Sequence, residues 1–243
     1  MHWLGLAQST IAESQMTVLN WYDEIYTFQI SVGETPTTMQ ATLDTAMAHT
    51  VIETTDCSAC GAWKLNTALG QGGIVVSSTT VSGNLAFSAY TGVSGTATFC
   101  IYKFGAYSTA PTSGNVSSMP CIQTMNLHYA KSVTSPNTKA TAHLDMALGK
   151  GADSSGNTPA ATDLLMDQFV TAGRLTSSTK KFGLSLYTDD GTGGSDSTTK
   201  NFMNFGNVST PSSVDTSKAA QKLTFNANEF YWKSNLNGIW FGT

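Results

Sequence analysis

Short runs of alternating apolar and polar residues, separated by turn-forming residues, recur along the chain. Residues 26–32 alternate in this way and then reach Gly33 and Pro36, which is typical of a half-buried strand that leads into a hairpin. Residues 41–52 form a second β-type run, which is interrupted by Asp44 and a stretch of small residues. We therefore expect Asp44 on a turn between two buried strands.

The rest of the chain repeats this β pattern, with one exception. Further strands are predicted at 74–76, 85–90, 96–102, 121–127, 144–149, 202–207 and 225–232. Glycines at 91–95 predict a mobile hairpin tip between the strands on either side. The exception is 157–173, where Thr158 can cap a helix, Pro159 suits its first position and Gly173 can end it. The pattern predicts an all-β fold with one or two short helices.

Length and composition limit the classes of protein to which the chain can belong. Its 243 residues, 40% of them hydrophobic, can bury a sizeable core as one large all-β domain or two small ones. Only 12% are charged and the net charge is −4, so the sequence offers no basic footprint for nucleic acid. The same balance gives no electrostatic support for binding at a membrane surface. We expect neither nucleic acid nor membrane as a partner.

Four cysteines, an even number, can pair as two disulfides in an oxidising compartment. They are Cys57, Cys60, Cys100 and Cys121. A bridge from Cys100 to Cys121 would staple the polar segment between them. Asn115 and Asn207 begin acceptor patterns for N-glycosylation, which also favour a secreted or lysosomal location. Residues 1–18 lack the basic start and apolar core of a signal peptide and are interpreted as an N-terminal extension or propeptide remnant.

The spacing of Cys57 and Cys60 is compatible with three kinds of site. A Cys-x-x-Cys sequence can form half of a zinc site, a redox pair or a small disulfide loop. His49 is a further ligand to consider for zinc, but the set is still incomplete with it, so no metal is predicted. His128 follows the strand at 121–127 among polar residues and is expected to be an exposed or edge histidine rather than a catalytic base.

The order hairpin, strand, aspartate turn and strand resembles the start of the pepsin-like aspartic proteases. In that family the lead-in strand ends in Gly-Thr-Pro, where residues 33–36 here read Gly-x-Thr-Pro, and the catalytic loop reads hydrophobic-Asp-Thr-Gly-Ser. The resemblance implies that Asp44 is the catalytic aspartate and that Thr45 braces its loop. The chain departs from the motif at Ala46, in place of glycine, and at Met47, in place of serine.

Later segments extend the resemblance from Trp21 to the end of the chain. Tyr90 occupies the place of the tyrosine on the flap, the hairpin that closes over a bound peptide in this family. Residues 147–149 (Ala147, Leu148 and Gly149) match the segment that supports the catalytic loop, which makes Asp145 structural. A small disulfide between Cys57 and Cys60 is implied as well. The family also has a helix like the one predicted at 157–173, followed by a strand like 181–187.

The resemblance implies an N-terminal lobe of the double-psi β-barrel type over residues 19–243, with the second lobe outside this chain. Aspartic proteolysis needs two carboxylates about 3 Å apart, which share one proton and activate a water, and it needs no cofactor. The chain supplies Asp44, whereas Asp215 lies in a polar stretch and is interpreted as a turn residue. Without a partner for Asp44, enzyme activity of this chain is an open question.

Three hypotheses follow from this resemblance, and all have a peptide or protein as ligand. The first is one lobe of an endopeptidase that cleaves peptides at acidic pH once a C-terminal lobe is added. The second is a pseudoprotease, a module that binds peptide or protein without cutting it, which Ala46 and Met47 motivate. The third is a homodimer in which each copy gives one Asp44.

Overall fold

The computed structural model describes residues 14–20, 25–33, 37–44, 49–58, 60, 69–85, 88–101, 121–134, 142–145, 160, 163–185, 202–206 and 217. These residues form ten strands and one short helix, so the predicted all-β class is confirmed. The strands are β1 (Ser14–Asn20), β2 (Ile25–Val32), β3 (Thr37–Asp44), β4 (Val51–Glu53), β5 (Val75–Leu85), β6 (Ser88–Ile101), β7 (Cys121–Val133), β8 (Ala142–Asp145), β9 (Phe182–Ser185) and β10 (Phe202–Phe205). The helix is α1 (Leu165–Thr171).

Six of the strands close into a ring. Strand β2 pairs antiparallel with β3 and also with β6, and β6 pairs antiparallel with β7. The circuit is completed by β4, which is parallel to β7 and antiparallel to β8, and by β8, which is parallel to β3. Strands β1, β10 and β9 extend the sheet from β2, and β5 extends it from β6. Closure gives each ring strand a partner on both sides, which removes the exposed edges of an open sheet.

The main core lies on one face of the ring strands. Alternate residues of each strand point to the same face of a sheet, and the largest buried side chains on this face are Ile30, Ile52, Phe99 and Tyr129. Helix α1 adds Phe169, whose ring meets Phe99 edge-on with centroids 6.4 Å apart. Burying an aliphatic or aromatic side chain of this size contributes roughly 1.5–3 kcal/mol, so this face accounts for much of the stability.

A second, smaller core lies on the opposite face. Val51 and Ala130 belong to it, whereas their sequence neighbours Ile52 and Tyr129 belong to the main core. Cys57 and Tyr90 complete its centre. Both faces of β4 and of residues 127–130 of β7 are therefore buried, and polar side chains there can be held away from water.

Several predicted elements have the predicted position but different lengths. Strands β2 and β3 form the hairpin predicted around Gly33, whose φ of 94° requires the freedom of a glycine. Helix α1 is shorter than predicted. It starts after Leu164, whose side chain makes no capping hydrogen bond, and it ends before Gly173, which has a φ of 68°. Thr158 and Pro159, as well as the strand predicted at 225–232, lie outside the described residues. The predicted N-terminal extension overlaps β1 at 14–18.

The hairpin tip predicted at 91–95 is wrong. These residues lie inside β6, which continues from Ser88 to Ile101 and pairs with β5 on one side and β7 on the other. A Cβ atom on Gly92 would collide with the carbonyl oxygen of Tyr129, and one on Gly95 with the carbonyl oxygen of Val75. The glycines therefore allow the neighbouring strands to approach β6 closely instead of making a turn.

Gly92→Ala should destabilise the protein by roughly 1–3 kcal/mol or more, because the added methyl group forces β6 and β7 apart. Urea unfolding monitored by tryptophan fluorescence measures the loss. Thr91→Ala, at the exposed neighbouring position of β6, is the matched control and should change stability little. Equal and small effects of the two substitutions would mean that 91–95 is a turn after all.

Candidate functional site

Asp44 is the last residue of β3, and only 3% of it is exposed. Met39 and Ala41 of the same strand belong to the main core, so alternation places Asp44 on the opposite face. The parallel register of β3 and β8 makes Asp145 the backbone partner of Asp44. A second acidic residue therefore occupies the same level on the neighbouring strand. Thr45 and residues 147–149 lie outside the described residues, and their roles stay predictions.

Tyr90 lies near the end of the hairpin that β5 and β6 form. Its backbone pairs with Gly83 of β5 on one side and with Val133 of β7 on the other. Its ring covers Gly83 so closely that a Cβ atom there would lie 2.9 Å from a ring carbon. Only 4% of Tyr90 is exposed, and its hydroxyl oxygen lies 2.6 Å from Nδ1 of His128.

His128 is buried, with 8% exposed, so its predicted exposed or edge position is wrong. Strand β7 does not stop at 127 but continues to Val133, and His128 lies in its middle between β6 and β4. Its backbone N–H donates to the carbonyl oxygen of Thr50 at 2.9 Å. The sequence signal for this burial is the apolar pair Tyr129 and Ala130, which directly follows His128. Two consecutive apolar residues in a strand point to opposite faces, so they indicate that the strand continues beyond His128 with both faces buried.

Two further residues extend the contact from His128. The ring of His49 stacks on that of His128 with centroids 3.9 Å apart and planes 16° from parallel. Nε2 of His49 lies 3.4 Å from Oδ2 of Asp163, just before α1. We call Tyr90, His128, His49 and Asp163 the Tyr90–Asp163 cluster. Their grouping could not be predicted from local sequence, because they come from four separate segments.

Burial controls the charge state of this cluster. Removal from water, with a smaller contribution from neighbouring His49, lowers the pKa of His128 to about 3. The hydrogen bond from His49 is the main reason that the pKa of Asp163 lies below its usual value. His128 is therefore neutral at neutral and mildly acidic pH, and with its proton on Nε2 it can accept a hydrogen bond at Nδ1 from the Tyr90 hydroxyl.

The cysteines form two disulfides, Cys57–Cys60 and Cys100–Cys121. The Cys-x-x-Cys segment is thus a small covalent loop in the structure, and His49 contacts Asp163 and His128 instead of the two sulfurs. Within the described ranges, no group of three or more His, Cys, Asp or Glu side chains is arranged to hold a metal ion. The single helix in the described part of the chain is too short to cross a bilayer.

An open pocket of about 500 Å³ lies between the first half of β7 and α1. Gln168 forms part of its lining and ties the two elements together, because its side chain accepts from Asn126 N at 2.6 Å and donates to Asn126 O at 3.1 Å. Neither Asp44 nor Tyr90 lines this pocket. The open space between β7 and α1 is therefore separate from the residues predicted to do chemistry.

The buried histidine should make folding stability depend on pH. Native His128 has a pKa of about 3, against 6.5 for an unperturbed histidine, so below pH 6.5 the unfolded chain takes up a proton that the native protein does not. Stability should therefore fall as the pH drops from 6.5 towards 3, by on the order of 4 kcal/mol in total from this group.

Urea unfolding at pH 7.0, 5.5 and 4.5 measures this dependence, and His128→Asn is the matched variant. Asparagine offers Tyr90 an acceptor atom near the position of Nδ1 but does not titrate. The variant should lose less stability than the wild type over this interval. Identical pH slopes in the two proteins would contradict the assignment of a buried neutral His128.

No protein-family model matches this chain, and no curated protein matches it at a significant level. The resemblance to the pepsin-like proteases thus rests on the sequence motifs around Asp44, Tyr90 and 147–149. The structure shows the all-β class and the geometry of the Tyr90–Asp163 cluster.

Proposed function

We propose that this chain is a lobe of a pepsin-like aspartic endopeptidase, with Asp44 as one of its two catalytic carboxylates. The observation that carries the proposal is the placement of Asp44 at the buried end of β3, next to the parallel strand β8. A carboxylate that must share a proton with a second one needs such a site, fixed by neighbouring backbone and shielded from bulk water.

The ring of six strands supports the finer assignment to a double-psi β-barrel. It contains two parallel pairs, β3 with β8 and β4 with β7, among antiparallel ones. In each parallel pair a strand from the first quarter of the chain lies beside one that follows much later. Strand β8 leads directly into 147–149, the segment proposed to support the loop that begins at Asp44.

In the proposed reaction one carboxyl group is protonated while the other, as carboxylate, takes a proton from a water molecule that attacks the peptide carbonyl. Asp44 supplies one of these groups. The other comes from a second lobe or from a second copy of the chain. Tyr90, near the end of the β5–β6 hairpin, is the proposed flap residue and contacts the bound peptide from a fixed position.

A peptide-binding module without catalysis is the second candidate. It is favoured by Ala46 and Met47, which replace the glycine and serine of the family's catalytic loop. In the family's catalytic loop, a methyl group at the glycine position would restrict the approach of backbone and water. A methionine at the serine position would remove a hydrogen bond that stabilises the ionised carboxylate. We propose a secreted or lysosomal location for either candidate, and the two disulfides are compatible with it.

Peptide cleavage and peptide binding separate the two candidates. The purified chain is incubated with a mixed peptide library between pH 4.5 and 7, and products are identified by mass spectrometry. If a second copy supplies the other carboxylate, the chain should cleave best at acidic pH. Asp44→Asn should then slow cleavage by roughly 10²–10⁴-fold, because it removes a group that transfers the proton. Asp167→Asn, which removes the same charge from α1, is the control.

Asp145→Asn should leave cleavage unchanged, because the resemblance makes Asp145 structural although it is the backbone partner of Asp44. Calorimetry with a peptide whose scissile bond is replaced by a secondary alcohol measures binding without turnover. Binding that depends on Asp44, with no cleavage even where the chain is a dimer, would favour the binding module. A chain that binds no such peptide would contradict the binding module, and a dimer that cleaves nothing would contradict an endopeptidase formed by two copies. Light scattering shows whether the active species is a dimer.

A further inference from the structure

Tyr90 is held by its backbone and its ring as well as by its hydroxyl group. Its backbone is paired on both sides, to Gly83 and to Val133. The pairing is reinforced one residue earlier, where Ala89 accepts a hydrogen bond from Thr134 N at 2.9 Å and donates to its Oγ1 at 3.0 Å. The ring lies close enough to Gly83 to fill the space of a side chain there. The hydroxyl end of the side chain is held by His128 Nδ1.

His128 can hold that hydroxyl only if its own ring cannot turn. The backbone of His128 is held in β7, and the near-parallel stack on His49 fixes the plane of its ring. His49 in turn is held by Asp163 at 3.4 Å. Asp163 is anchored by a hydrogen bond from its own N–H to the carbonyl oxygen of Ala160 at 2.9 Å. The orientation of Tyr90 thus depends on contacts that reach the turn before α1.

The chemistry of His128 suits this task better than that of a charged residue. A neutral imidazole has one ring nitrogen that accepts and one that donates. His49 and Asp163 are the titratable neighbours that act on it, and of these a protonated His49 opposes a second positive charge on His128. The acceptor at Nδ1 is therefore kept over the whole range in which the protein is expected to work.

We propose that His128 is a positioning residue for Tyr90, and that His49 and Asp163 fix the orientation of His128. The link from Tyr90 to a bound peptide rests on the proposed function, whereas the anchoring of Tyr90 by His128 does not. In this arrangement the turn before α1 helps to set the position of a residue near the end of the β5–β6 hairpin. A substitution at Asp163 would then change the position of the Tyr90 side chain, because the rings of His49 and His128 lie between the two residues.

NMR of the full chain labelled with ¹³C at the tyrosine ring carbon that bears the hydroxyl tests the anchoring directly. His128→Phe keeps a ring to stack on His49 but removes the acceptor, so the Tyr90 signal should shift and broaden. His128→Asn restores an acceptor and should return the signal towards its wild-type position. Asp163→Asn should give a smaller shift in the direction of His128→Phe. A Tyr90 signal that is identical in the wild type and in folded His128→Phe would overturn the proposal.

A second measurement covers the case in which His128→Phe does not fold. Tyr90→Phe keeps the ring over Gly83 and removes only the hydroxyl, so the ¹⁵N signal of His128 Nδ1 should move, as expected for the loss of a hydrogen bond at that atom. An unchanged Nδ1 signal would overturn the proposal equally.

Peptide affinity then tests the functional link separately. If Tyr90 contacts peptide, His128→Phe should weaken binding about tenfold, the equivalent of one hydrogen bond, and His128→Asn should bind within about twofold of wild type. Absence of peptide binding in every variant, together with the expected NMR shifts, would reject the proposed function and leave the anchoring intact.

Discussion

The structure depends on the hydrogen bonds that close the ring between β2 and β6. Ile30, Ser31 and Val32 pair with β6 on one side while the same three residues pair with β3 on the other. Cys100 is the partner of Ser31 and is also bonded covalently to Cys121 of β7. The disulfide therefore lies next to the closing pair and ties three consecutive strands of the ring together. Without this closure the backbone groups of β2 and β6 would face solvent or another chain.

Closure also explains how polar groups can lie deep in this protein. Asp44, Thr50, Glu53 and His128 are all buried, and burial of such groups is unfavourable unless they are hydrogen-bonded or paired. They lie at the end of β3, on or next to β4, and in the part of β7 from Leu127 to Ala130, where consecutive residues on both faces are buried. Asp44, Thr50 and Glu53 therefore bring polar groups into the interior of the protein. An imidazole in such surroundings loses its charge, which turns His128 from a titrating base into a fixed acceptor.

The features that local sequence could predict are those decided by neighbouring residues. The β2–β3 hairpin follows from alternation that ends at Gly33. The acidic interruption of a β run marks where β3 ends, although Asp44 is the last residue of that strand and not a turn residue. The turn expected at Gly92 and Gly95 is wrong because a glycine that permits a turn and a glycine that permits close strand approach look alike locally. Which of them applies is decided by β7, which comes later in the chain. The expected exposure of His128 is wrong for the same reason, because its burial depends on β4 and β6 lying on either side of it.

The parallel pairing of β3 with β8 has a consequence for the synthesis of the protein. Asp44 and its partner Asp145 are separated by about 100 residues, which a ribosome adds in roughly 5–20 s at typical rates. During that interval β3 can pair with β2 but has no β8 to cover its other edge. The nascent chain thus has an unpaired edge of β3 for seconds, until the late strand β8 emerges.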